Sequence, residues 1–162
     1  MKVKPVRNLG ATLVELLVVM SILAIAAAVG VLNLRPLADP LQDAVTQAEG
    51  YLKQVRAKAM ATTSAYRVVL GSTGLRAWYA PSCRAANFTE DAALRLDLPE
   101  GVRLEARWAQ SGQDFAPSDW VCFTSRGLLL GSQSEEPLLE FRDGKGRVKT
   151  LRVMLGGGVV RP

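Results

Sequence analysis

Few residues in this chain have the type and spacing to do chemistry. There is no histidine among the 162 residues. That excludes His-based nucleophile triads, His–carboxylate acid/base pairs and most catalytic zinc sites. Two cysteines, Cys83 and Cys122, are too few for a structural zinc site or a disulfide scaffold, but enough for one bond. Without a C-x-x-C spacing they are not a redox pair. Glu15 sits at the mouth of an apolar run, where a carboxylate is costly and usually has a dedicated partner. Near the C-terminus, Arg142, Lys145, Arg147, Lys149, Arg152 and Arg161 face a single acid, Asp143. Such a cluster can hold phosphates without reading sequence, although a solvated strand face is the commoner meaning. Asp114 with Asp119, and Glu135 with Glu136, have no partner motif and read as loop charges. No cofactor, no metal and no enzymatic activity are expected.

The elements that must position these residues divide the chain in two. Residues 16–34 are uncharged and apolar on every side, preceded by Lys2, Lys4 and Arg7. At about 1.5 Å per residue this helix would approach the roughly 30 Å of a bilayer core. The flanking cations place the N-terminus in the cytoplasm and the rest of the chain outside it. An ordinary secretory signal, cut near residues 24–28, is the alternative. Outside the cytoplasm a Cys83–Cys122 disulfide would persist. The other arrangement is a free, buried Cys122 in W-V-C-F with Cys83 exposed.

Pro36 and Pro40 predict a break. Asp39 is placed to cap a second helix at about 41–62, with Pro40 at its first turn. Leu41, Val45, Ala48, Leu52, Val55 and Ala59 recur at spacings of three and four and form one apolar stripe. Beyond Thr62 the pattern becomes that of strands. Residues 66–70 and 75–80 flank G-S-T-G, and 137–142 and 147–155 flank D-G-K-G, so both read as hairpins. Val102, Leu104, Ala106 and Trp108 alternate with Arg103, Glu105 and Arg107. Segments 94–98, 120–124 and 128–131 are shorter candidates, and 81–93 and 109–119 read as loops. The fold class is α+β: a helix against an antiparallel sheet or pair of sheets.

The stretch R-N-L-G-A-T-L-V-E-L-L-V-V-M-S-I-L-A-I-A resembles the leader junction of type IV pilins and type II secretion pseudopilins. Gly10, Thr12, Leu13, Val14 and Glu15 match that pattern, and Ala11 departs from the usual phenylalanine or methionine. The resemblance implies a cleaved leader, 1–10, cut by prepilin peptidase between Gly10 and Ala11, with N-methylation of Ala11. It also implies a transmembrane and filament-core helix at 11–35 and an extracytoplasmic head at 36–162, with sheet over about 66–155. The helices would form a long spine packed on the head. The chain would be a single-pass inner-membrane protein before assembly, its head in the periplasm or at the cell surface, and part of a pilus or pseudopilus afterwards. Partners would be other pilins, prepilin peptidase and the membrane. Ala11 and Glu15 lie four apart on one helix face, so the new amine could pair with a Glu15 carboxylate of a neighbouring subunit and set register.

Three further stretches resemble the GspH/FimT group of minor subunits: Q-V-R-A-K-A-M-A-T-T-S-A-Y-R-V-V-L, V-C-F-T-S-R-G and the run ending at Arg161. Val55 and Lys58 replace that group's usual alanine and glutamate. Arg161 beside the Gly-rich end is similar to its G-R-x-R tail, with Val159 in place of the first arginine. That resemblance implies a possible DNA surface at Lys145, Arg147, Lys149 and Arg161, with Arg161 at a free end.

Overall fold

The computed structural model describes residues 12–33 and 39–162, with side chains in the first stretch up to Ala26. Gly10, Ala11 and the Pro36 break lie outside the described residues. Contacts divide the chain into two compact units, Met1–Ala38 and Asp39–Pro162.

In the first unit, α1 spans Leu13–Asn33. The large apolar side chains from Leu13 to Ile25 are all exposed, from 50% at Val19 to 78% at Leu13. A helix that is apolar all round has no solvent face and needs an apolar surrounding. Among the described residues no helix is long and apolar enough to cross a membrane. The span expected at 16–34 runs past Ala26, the last described side chain of α1.

The second unit is α+β. Helix α2, Pro40–Ala61, begins where local chemistry dictates: Asp39 Oδ1 accepts the Leu41 N–H at 3.2 Å, and Pro40 fills the first turn. Its apolar stripe is buried in full, joined by Ala44 and Tyr51. Nine strands follow: β1 Ala65–Gly71, β2 Gly74–Ala80, β3 Thr89–Asp97, β4 Val102–Trp108, β5 Val121–Phe123, β6 Leu129–Gly131, β7 Pro137–Asp143, β8 Val148–Val153 and β9 Val159–Val160. They form two antiparallel sheets, ordered β3-β2-β1-β5-β6 and β4-β7-β8-β9. Here these are sheet A and sheet B.

The α2 stripe packs on both. Tyr66, Val68, Leu75, Leu94 and Phe123 come from sheet A, and Leu104, Trp108, Leu139, Phe141 and Leu151 from sheet B. Arg56 on α2 closes the far end. Its Nε donates to Gly127 O at 2.9 Å and its NH2 to Gly156 O at 3.1 Å. Gly157 must be glycine there: its φ is +80°, and a Cβ would lie 2.0 Å from Gly127 O.

Two elements differ from the sequence reading. Residues 89–93, read as loop, belong to β3. This is an edge strand on which only Leu94 is buried, so it carries no alternating apolar signal. The strand read as 147–155 ends at Val153. A turn closed by Gly157 N–H to Met154 O at 2.7 Å then returns the chain as β9 beside β8.

Candidate functional site

Two regions carry the functional residues singled out above. At the start of α1, Thr12 Oγ1 accepts the Glu15 N–H at 3.3 Å, and Thr12 O accepts the Leu16 N–H at 3.1 Å. Thr12 therefore caps the helix, and Glu15 lies in its first turn, where the helix dipole favours a carboxylate. The T-x-x-E spacing is that of a capping box, a signal that was legible in the sequence beside the cleavage pattern. Glu15 is exposed.

The second region is where β8 and β9 meet α2. Arg147 holds Asp39 at 3.0 Å and Asp143 at 2.7 Å. Lys149 Nζ donates to Gln42 Oε1. Arg161 donates from Nε to Glu49 Oε2 at 2.8 Å and from NH2 to Thr46 Oγ1 at 3.2 Å. Strand alternation puts Arg147 and Lys149 on one face, and the β9 return adds Arg161 to the same row. Their partners Asp39, Gln42, Thr46 and Glu49 step along α2 at spacings of three and four, so they share one helix face.

This corrects the expectation that Arg161 sits at a free end: it is tied to α2. Lys145, at the β7–β8 turn, is exposed and has no ion pair among the described residues. Arg142 approaches Glu105 and Glu140 at 3.9 and 4.0 Å. Arg152 lies 2.7 Å from Glu136, but off the hydrogen-bond axis.

The local carboxyls respond accordingly. Hydrogen bonds from Lys53 and Arg161 hold Glu49 below the usual carboxylate range. Burial would raise Asp39 and Asp143, but the hydrogen bonds and charge of Arg147, with nearby backbone N–H groups, outweigh it and lower both.

Cys83 and Cys122 are bonded, with Cα atoms 5.9 Å apart. The bond lies in a small cluster with Ala65 and Trp120, apart from the main core. Among the described residues, no group of three His, Cys, Asp or Glu could hold a metal ion.

Residues 6–31 match the family described as a prokaryotic N-terminal methylation motif. No curated protein matches. Among solved structures, the fold is similar to the type IV minor pilin FimU of Pseudomonas aeruginosa strain PAO1. The TM-score is 0.55 at 15% identity, over 75% of this chain and 87% of that one. It is equally similar to the minor pseudopilin EpsH from the type 2 secretion system of Vibrio cholerae. Here the TM-score is 0.56 at 12% identity, over 76% of this chain and 97% of that one. The fold of the second unit is thus similar to that of these two minor subunits.

Proposed function

We propose that this chain is a minor pilin or pseudopilin, a structural and assembly subunit of a type IV pilus or type II secretion pseudopilus. The observation that carries the reading is the methylation motif at 6–31 on the same chain as a two-sheet, pilin-type head. Cleavage between Gly10 and Ala11 by prepilin peptidase, followed by methylation of Ala11, belongs to this reading. So does anchoring by α1, whose apolar faces need lipid before assembly and neighbouring helices after it. The leader cations set the head on the extracytoplasmic side, where the Cys83–Cys122 bond persists.

Intact-mass analysis of membrane-extracted protein tests the reading. The mature chain should begin at Ala11 with a methylated amine, and Gly10→Asp should block processing. A chain that retains Met1, or one cut at residues 24–28, overturns it.

A second reading is DNA capture during uptake through the basic C-terminal strands. Its support is the exposure of Lys145 and of Arg147, whose side chain is 50% exposed.

A further inference from the structure

Where β1 runs on past the end of β5 it faces the β4 edge of sheet B across an open cleft of about 730 Å³. Residues 68–72 form one wall, 104–106 the other, and the 114–120 segment covers it. Strand β5 pairs with β1 only at 66–68. Main-chain groups alternate sides along an antiparallel strand, so Leu70 turns its N–H and C=O away from β2, beyond the reach of β5.

On the opposite wall, Leu104 N–H donates to Ser72 O at 3.0 Å and Ala106 O accepts Phe115 N–H at 2.9 Å. Both residues therefore face away from β7. The Leu104 C=O and Ala106 N–H point the same way, with no partner among the described hydrogen bonds.

One cation lines the same cleft. Arg67 lies between the Phe88 ring at 4.0 Å and the Trp120 ring at 4.9 Å, and its NH2 donates to Cys83 O at 3.2 Å. Its Nε is enclosed and has no hydrogen-bond partner among the described residues. The Arg67 side chain is half-buried, and a carboxylate is the strongest complement to the guanidinium donors that remain accessible.

We propose that this cleft takes an extended segment of a partner protein as an added strand, with one acidic side chain of that segment on Arg67. Successive residues of an extended chain direct their main-chain groups to opposite sides. One residue therefore answers Leu104 and Ala106 while the next answers Leu70, and the added strand bridges the two sheets. This is strand addition, in which main-chain bonds supply affinity and side-chain pockets supply choice. Glu105, Asp114 and Asp119 also line the walls, Asp119 already bonded to Trp108, Ala116 and Ser132 and the other two exposed, so a run of acids is repelled and a single one, flanked by neutral residues, fits. The inference rests on the head alone and does not depend on filament membership.

The test uses the full chain in detergent micelles and the probe acetyl-Thr-Val-Asp-Val-Thr-amide. Amide exchange at Leu70 and Ala106 should slow at least tenfold at millimolar peptide. Replacing the peptide's aspartate by lysine should weaken binding at least tenfold. Ser118→Trp, at an exposed position over the cleft, should abolish protection while exchange at Val68 stays unchanged. No protection at Leu70 and Ala106 overturns the proposal. So does equal binding to Ser118→Trp, or equal binding of a peptide with methylated backbone nitrogens, which would mean recognition without strand addition. Equal affinity for the lysine peptide removes Arg67 from the site and overturns the acidic-segment assignment.

Discussion

Arg161, the penultimate residue, donates from its Nε to Glu49 Oε2 at 2.8 Å across 112 positions of the chain. The contact fastens a two-residue strand, β9, to the polar flank of α2. Glu49 also accepts from Lys53 at 2.6 Å, so one carboxylate serves both a local and a long-range partner. A partly exposed pair of this kind contributes roughly 0.2–1 kcal/mol. Arg161→Ala and Glu49→Gln should each lower stability modestly, and the double variant should show coupling within that range. The sensitive readout is local: proteolysis of the C-terminal residues should accelerate in Arg161→Ala while the global unfolding midpoint moves little. Unchanged cleavage at the terminus would mean that β9 is held by its pairing with β8 alone.

Stability should fall in acid. Glu49 is lowered by Lys53 and Arg161, and Asp119 by Ser132, Trp108 and the Ala116 N–H. In Asp91, burial pulls upward but Lys58 prevails. A carboxyl with a folded pKa below its unfolded value contributes stability above the unfolded value, and that contribution is lost as pH falls through the folded one. The unfolded values lie near 4, so the midpoint should be flat from about pH 5 to 8 and drop below about pH 4. Tyr51 acts at the other end. Burial pushes its phenol up, and its hydroxyl donates to Leu94 O at 3.0 Å. Its contribution is full below an unfolded pKa of about 10 and fades as pH rises beyond it. Tyr51→Phe should soften that alkaline loss and, by removing a buried hydrogen bond, cost about 1 kcal/mol at neutral pH.

Removing the Cys83–Cys122 bond should cost more than any single ion pair. The bonded residues are 39 apart, and loop-closure entropy over such a span is worth about 4 kcal/mol in the unfolded state. Cys83→Ser with Cys122→Ser should lower the denaturation midpoint without changing the far-ultraviolet circular dichroism, because the bond lies outside the main core. The segment between β2 and β3, tied down by Cys83 and by Arg67 on Phe88, should become the first site of proteolysis. A double variant as stable as the parent would locate the constraint in packing rather than in the cross-link.

The sequence was most legible where the determinants are local. Asp39 and Pro40 start α2, and its stripe is buried in full, because cap and period need no distant partner. The G-S-T-G and D-G-K-G turns likewise mark hairpins that form. The second half of β3 was read as a strand at 94–98, but residues 89–93 were hidden because an edge strand with Leu94 as its one buried residue has no alternation to extend. The row of Arg147, Lys149 and Arg161 was hidden for another reason. Its acceptors on α2 lie more than a hundred positions away, and the turn at Gly157 is what brings Arg161 into line with Arg147 and Lys149. The cleft beside Leu70 arises from where β5 stops, which no local composition encodes.

Glu15→Val should leave the head folded, since Glu15 lies in the first compact unit and the head in the second. Membrane insertion should be intact or improved, because a carboxylate at the edge of an apolar helix is gone. The Thr12 cap remains, so helix formation should not suffer. Under the proposed function, incorporation into filaments should fall through loss of the pairing between Glu15 and the mature N-terminal amine of a neighbouring subunit. Incorporation at the parental level, measured in sheared filament fractions, would leave Glu15 with a local role at the helix start.

DNA binding by the basic strands now has a sharper test than charge alone allowed. Three of its four residues have structural partners: Arg147 on Asp39 and Asp143, Lys149 on Gln42, and Arg161 on Glu49. Replacing Lys145, Arg147, Lys149 and Arg161 together by alanine should therefore lower the melting temperature, whether or not DNA is a ligand. Lys145→Ala alone should not, since its side chain is exposed at the turn. Each phosphate contact contributes about 0.9 to the log–log salt slope on duplex DNA. If DNA binds here, Lys145→Ala should flatten that slope by about one contact with the fold intact, and Arg147→Ala should flatten it further while loosening the start of α2. A full chain that retains no DNA at low ionic strength, with a quadruple variant that only melts earlier, would establish the row as a clasp between β8, β9 and α2.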